Sequence, residues 1–307
     1  MSRNELQKRP ELASIRGTLS WQMPGAVADY SLLGCSRAAD KTAFVVPEMG
    51  WCVDAGDVVK NFRPREIFLT HTHSDHVHVL HRMKSRTTIP DIFAPAETVE
   101  LLERYLLVTH ELSIGRRIED ESVLDPAFKL VGVRPGDEHV ISRGKRRFLV
   151  RVLATDHSVP SVGYAFYELK QKLIEELRGL PGAEIGRRKA AGEAVTREVR
   201  EPMFAFLGDT TCEVFARHPE VLEMPVVVTE CSFFGAEHLA NAERTKHTHW
   251  DELRPIVADH PGTTFVLGHF SWRYDAGQVL SEFEAAGLEN VVAWIEDESG
   301  LRYTMGL

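Results

Sequence analysis

Seven consecutive residues, Thr70-His71-Thr72-His73-Ser74-Asp75-His76, stand directly behind the apolar run Ile67-Phe68-Leu69. On an extended backbone, residues two apart face the same side, so His71 and His73 can address one metal ion. A helix beginning near Ser74 places Asp75 and His76 in its first turn, from which their side chains can return toward a second ion. Imidazole and carboxylate are the donors zinc takes up. A solvated histidine-rich turn is the plainer explanation, but it leaves the rest of the chain unexplained. His157 follows the apolar run of residues 148–154, Asp209 follows Phe204-Ala205-Phe206-Leu207-Gly208, and His269 follows Phe265-Val266-Leu267-Gly268. Polar groups just past apolar strands are where α/β proteins collect reactive side chains. With the first cluster, these residues supply two complete sites.

Ser271 and Arg273, just past His269, are candidates for holding a phosphate, because a guanidinium matches two phosphate oxygens at once. Arg273 could equally brace its loop by pairing with a nearby carboxylate. His78 and His81 read as packing or surface residues of the helix after the cluster. The four cysteines, Cys35, Cys52, Cys212 and Cys231, form no Cys-x-x-Cys pair and no disulfide framework. They read as reduced thiols of a cytoplasmic protein, with Cys212 and Cys231 in core packing.

These residues need elements to position them. Apolar, β-branched and aromatic runs predict strands at 42–47, 51–54, 66–70, 147–154, 161–168, 203–208, 225–230, 263–268 and 290–295. Helical patterns cover 75–84, 96–109, 170–177, 249–259 and 276–286. Strands and helices interleave, which predicts an α/β fold, with a first third rich in strand-to-strand steps. The stretch 170–202 is charged, lacks strand-like runs and contains Gly179, Pro181, Gly182, Gly186 and Gly192. It reads as a short helical insertion of two helices and a turn: a solvated excursion, or a lid or substrate arm using Arg187, Arg188 and Lys189.

The chain has 307 residues, 43% hydrophobic and 26% charged, with a formal net charge of −9. That composition fits one globular domain over 1–307. The acidic balance argues against a broad nucleic-acid-gripping face, so an RNA substrate must be held by a local basic patch. The polar start, residues 1–16, carries no apolar run of signal-peptide type, and no stretch reaches the roughly 20 apolar residues a membrane helix needs.

With these residues in view, the sequence resembles the metallo-β-lactamase superfamily and, within it, the ribonuclease Z family of tRNA 3′-processing endonucleases. The likeness runs from Val53-Asp54-Ala55-Gly56 through residues 71–76, His157-Ser158-Val159-Pro160-Ser161-Val162-Gly163-Tyr164, Gly208-Asp209-Thr210, Glu230 and His247-Thr248. It ends at His269-Phe270-Ser271-Trp272-Arg273-Tyr274. The resemblance implies a four-layer αββα sandwich with two divalent metal ions, Zn2+ foremost with Mn2+ or Fe as alternatives. It assigns His71, His73 and His157 to one ion, Asp75, His76 and His269 to the other, and Asp209 as the bridge. A hydroxide shared by the ions would be the nucleophile, with Asp75 as its proton acceptor, and His247 oriented by Glu230 would protonate the leaving group. The implied substrate is a phosphodiester, either precursor tRNA or a smaller molecule, and the implied assembly is a homodimer. Residues 179–193 resemble the base of the family's tRNA-binding arm, in shortened form. Two other readings of the same fold are a lactone or thioester hydrolase, which needs no Glu–His proton donor, and a non-catalytic scaffold, which would have lost ligands.

Overall fold

The computed structural model of the chain describes residues 13–15, 18–85, 87–118 and 128–296. Most of the polar start and both ends of the predicted 1–307 domain thus lie outside the described residues.

The first sheet contains β1 (Ala13–Ile15), β2 (Thr18–Gln22), β3 (Ser31–Arg37), β4 (Lys41–Val46), β5 (Trp51–Val53), β6 (Glu66–Phe68), β7 (Asp91–Pro95) and β8 (Lys129–Val133), neighbours in chain order. It is antiparallel from β1 to β5 and parallel from β5 to β8. The second sheet contains β9 (Glu138–Arg143), β10 (Arg146–Ala154), β11 (Val162–Leu173), β12 (Thr196–Phe206), β13 (Val226–Glu230), β14 (Thr264–Gly268) and β15 (Val291–Ala293). Here β9 to β12 pair antiparallel and β12 to β15 parallel.

The inner faces meet in an aromatic core around Trp51, Phe68, Phe148, Phe166, Phe204 and Phe206. The outer face of the first sheet is covered by α1 (Ser74–Val77) and α2 (Val99–Ile114), packing Leu102 and Leu106 over Ile67, Leu69 and Ile92. The remaining helices are α3 (Gly182–Ala190), α4 (Glu213–Arg217), α5 (Leu239–Thr245), α6 (Trp250–Asp259) and α7 (Ala276–Ala286). Of these α4, α6 and α7 cover the outer face of the second sheet, with Phe215, Trp250, Leu253 and Phe283 over Ala205, Val227 and Phe265. The layers run helix, sheet, sheet, helix, so the αββα expectation holds. Among the described residues no helix is long and apolar enough to cross a membrane.

Two expectations are corrected. The helix foreseen over 75–84 ends at Val77. The loop containing Asp54 intercepts its backbone: the N–H of Ala55 donates to the carbonyl of His76, and the N–H of Val79 donates to that of Ala55. The stretch 170–202 is not two helices. β11 and β12 extend through it as a hairpin, with Gln171 opposite Glu198 and Leu173 opposite Thr196, leaving only α3 and a 3-10 turn at the tip. Both faces of this extension are solvated, so alternation of polarity vanishes from the sequence. Cross-strand ion pairs such as Lys170–Glu201 replace it, along with Arg147–Glu198 from the neighbouring β10.

Candidate metal centre

β10 and β12 are both antiparallel to β11, so they leave the sheet at the same end. β13 and β14 run parallel to β12. His157, Asp209, Glu230 and His269 therefore emerge along one edge. The first sheet is stitched to this edge where Val162 N–H donates to Thr70 O and Tyr164 Oη–H to Leu69 O. That brings residues 71–76 onto the same rim.

Oδ2 of Asp209 is the focus. It lies 3.7 Å from Nε2 of His71, 3.4 Å from Nε2 of His76, 3.9 Å from Nε2 of His157 and 3.2 Å from Nε2 of His269. Nδ1 of His73 lies 3.1 Å from Nε2 of both His71 and His157. On the other side, Oδ2 of Asp75 is 3.6 Å from Nε2 of His76 and 3.4 Å from Nε2 of His269. The donors fall into two sets, His71–His73–His157–Asp209 and Asp75–His76–His269, with Asp209 reaching both.

The tautomers follow from what the distal nitrogens touch. Thr70 Oγ1 donates to Asp54, so it accepts Nδ1–H of His71 at 3.0 Å. Nδ1–H of His76 donates to Asp54 Oδ2 at 2.8 Å, and Nδ1–H of His157 donates to Lys246 O at 3.1 Å. Ser232 Oγ donates to Glu230, which leaves it to accept Nδ1–H of His269. In all four rings the nitrogen facing the focus is thus the one with the lone pair, the pattern that metal ligation uses.

The donor set fits divalent cations. Nε2 of His76 is buried and has no hydrogen-bond partner, though it points at the focus. An unsatisfied buried polar atom is expensive unless something coordinates it. Burial pushes the imidazoles of His71, His73 and His157 down, toward the neutral form that ligates. Burial also opposes charge on His76, but Asp209 and Asp54 outweigh it and push its pKa up. A cation between the carboxylates would take over the positive charge that this ring otherwise supplies. Burial opposes the Asp75 and Asp209 anions, yet the histidines around them hold both below the usual carboxylate range.

His247 stands apart from the ligands. Its Nδ1–H donates to Glu230 Oε1 at 2.7 Å, so that nitrogen has no lone pair for a metal even though Asp209 and His269 lie close. Burial opposes its charge, but Glu230 overcomes this and raises the pKa to about 9. Glu230 is itself buried and held by Thr210 N–H and Ser232 Oγ–H. The neighbouring His249 is a structural residue: its Nδ1 caps α6 by accepting Asp251 N–H, and its Nε2–H donates to Gly235 O.

Arg273 pairs with no carboxylate among the described residues. Its Nη1 donates to Ser271 Oγ at 2.9 Å, and its guanidinium lies 5.6 Å from the Phe233 ring centroid. His78 is exposed and His81 packs against Tyr105, as foreseen. The hairpin tip carrying Arg187, Arg188 and Lys189 lies beyond the strand ends farthest from Asp209, which rules it out as a lid. Arg187 and Arg188 pair with Glu184 on their own helix. Sequence reading gave no role to Asp54, Thr70 or Ser232, which orient three of the ligands.

The chain matches no family model. It is 29% identical over 262 residues to the chloroplastic tRNase Z of Arabidopsis thaliana, an overlap of 81% of this chain and 70% of the relative. It is 32% identical over 179 residues to a nuclear ribonuclease Z of Triticum aestivum, which spans 56% of this chain and 95% of that one. Among solved structures, the short form of human tRNase Z superposes with a TM-score of 0.51 at 17% identity, covering 78% of this chain and 92% of that chain. A metallo-β-lactamase fold protein of Bacillus subtilis gives 0.54 at 16%, covering 88% and 96%. By fold, by ligand arrangement and by these relatives, the chain belongs to the ribonuclease Z family of metallo-β-lactamase fold proteins.

Proposed function

We propose that the chain is a metal-dependent endoribonuclease that hydrolyses a phosphodiester at the 3′ side of precursor tRNA, using two zinc ions. The observation that carries this reading is the carboxylate oxygen of Asp209, with four imidazole nitrogens between 3.2 and 3.9 Å around it. When bound, a pair of divalent cations lowers the pKa of water from about 16 to near 7 and neutralises charge on the phosphoryl oxygens.

The chain's own residues supply the rest. Asp54, Thr70, Ser232 and the Lys246 carbonyl fix the ligand rings, so little reorganisation accompanies binding. Asp75, held by the Ala39 N–H at 3.0 Å, accepts the proton of the attacking water in this reading. Arg273 and Ser271 hold a phosphate oxygen at the rim. As the bond from phosphorus to the ribose oxygen breaks, that oxygen needs a proton. His247 holds one on Nε2, because Glu230 has fixed Nδ1–H and keeps the ring charged. A lactone or thioester hydrolase has no use for this pair, and a scaffold has no reason to keep all seven ligands in register.

The test is turnover of precursor tRNA and of a chromogenic phosphodiester by zinc-loaded protein, with and without chelator. Chelator-sensitive cleavage of both is the expected result. Absence of metal-dependent cleavage of either removes the proposal.

A further inference from the structure

Trp272 stands between Ser271 and Arg273. Its side chain is 66% exposed, whereas Trp21, Trp51, Trp250 and Trp294 are each at most 3% exposed. An indole left in water forgoes a large favourable burial.

The ring is exposed but not loose. The guanidinium of Arg37 lies 4.4 Å from the indole centroid, within the range of a cation–π contact. Arg37 is anchored in turn, since its Nη2 donates to Tyr274 O at 2.6 Å. Arg37 also ends β3 at the turn whose Ala39 N–H holds Asp75 and whose Ala38 N–H donates to Phe270 O. The indole is thus fastened to the turn that supports a metal ligand, next in sequence to Arg273. One face is taken by Arg37, and the exposure leaves the remainder to solvent. An ordered, open aromatic face beside a phosphate-holding arginine is what a nucleobase stacks on, and such stacking is tolerant of sequence.

We infer that Trp272 is a stacking platform for the base of the nucleotide adjoining the cleaved phosphodiester, which makes the site favour nucleic acid over diesters without a base. This rests on the nuclease reading above and adds the residue that recognises the base.

Fluorescence reads the contact without turnover, because the other four tryptophans are buried. Adenosine 5′-monophosphate should quench the zinc-loaded protein, and ribose 5-phosphate should not. As inhibitors of chromogenic diester hydrolysis, the two separate again. Trp272→Ala should raise the KI of the nucleotide about tenfold and leave that of ribose 5-phosphate where it was, while Trp272→Phe recovers most of the loss. Equal quenching by both compounds, or an equal rise of both KI values, means that Trp272 only braces Arg37 and overturns the inference. Nucleotide-specific quenching in a protein that hydrolyses no phosphodiester would support stacking and defeat the nuclease reading instead.

Discussion

Oγ of Ser232 lies 2.9 Å from Nδ1 of His269 and donates its own O–H to Glu230. One hydroxyl therefore connects a metal ligand to the carboxylate that orients the proton donor. Ser232→Ala removes both contacts, leaving Nδ1 of His269 without a partner and Glu230 one hydrogen bond short. Zinc affinity should fall roughly 10–100-fold, the usual cost of losing a ligand's outer partner. Competition with a chromophoric chelator measures it, and unchanged affinity would show that the ring is held by packing alone.

His247→Ala and Glu230→Gln separate chemistry from ligation. Neither change touches a lone pair directed at the metals, so zinc content by elemental analysis should stay at the wild-type value. On RNA, kcat should drop by about 10²–10⁴, because the ribose oxygen is a poor leaving group without a proton. On a p-nitrophenyl diester, whose leaving group departs as a stable anion, the drop should be much smaller. Equal losses on both substrates would mean that His247 does something other than donate a proton.

Gly56 packs against the ligand loop so closely that a Cβ there would sit 1.8 Å from the carbonyl oxygen of Asp75. Gly56→Ala must displace the backbone that carries Asp75 and His76. We expect a destabilisation of about 1–3 kcal/mol with zinc binding weakened in parallel, read by thermal unfolding with and without metal. Gly262→Ala is the control, because nothing lies within 4 Å of a Cβ built there.

Replacing the hairpin tip, residues 178–192, with a short turn should leave zinc content and hydrolysis of a chromogenic diester near wild type. KM for precursor tRNA should rise, because the tip carries the basic residues Arg187, Arg188 and Lys189 away from the rim. Loss of zinc together with the tip would contradict the placement of that segment at the far strand ends.

The metal ligands were legible because they are chemically rare groups set immediately behind strands of strong apolar character. His247 and Glu230 were not legible from spacing, since a histidine before a helix and an acid at a strand end are ordinary. The resemblance located them, and the 2.7 Å contact explains them. Asp54 and Ser232 carry no role in the sequence reading because their meaning lies in ring nitrogens brought near by folding, and Thr70 carries none because its contact to the adjacent His71 depends on Asp54. Asp54 meets His76 across 22 positions and Ser232 meets His269 across 37. Strands β1, β2, β3, β7, β8 and β9 were not among those expected; in β2, β3 and β9 the side chains alternate with solvent or carry charge, so no apolar run marks them. The hairpin extension was misread for the same reason: cross-strand ion pairs leave no apolar period to detect.

That extension has a geometric consequence. From Tyr164 to Leu173 the strand advances about 30 Å at roughly 3.3 Å per residue, with the catalytic rim behind its start and the tip beyond its end. The hairpin therefore sets about 30 Å between the rim and its tip, so a ligand confined to the rim does not reach the tip.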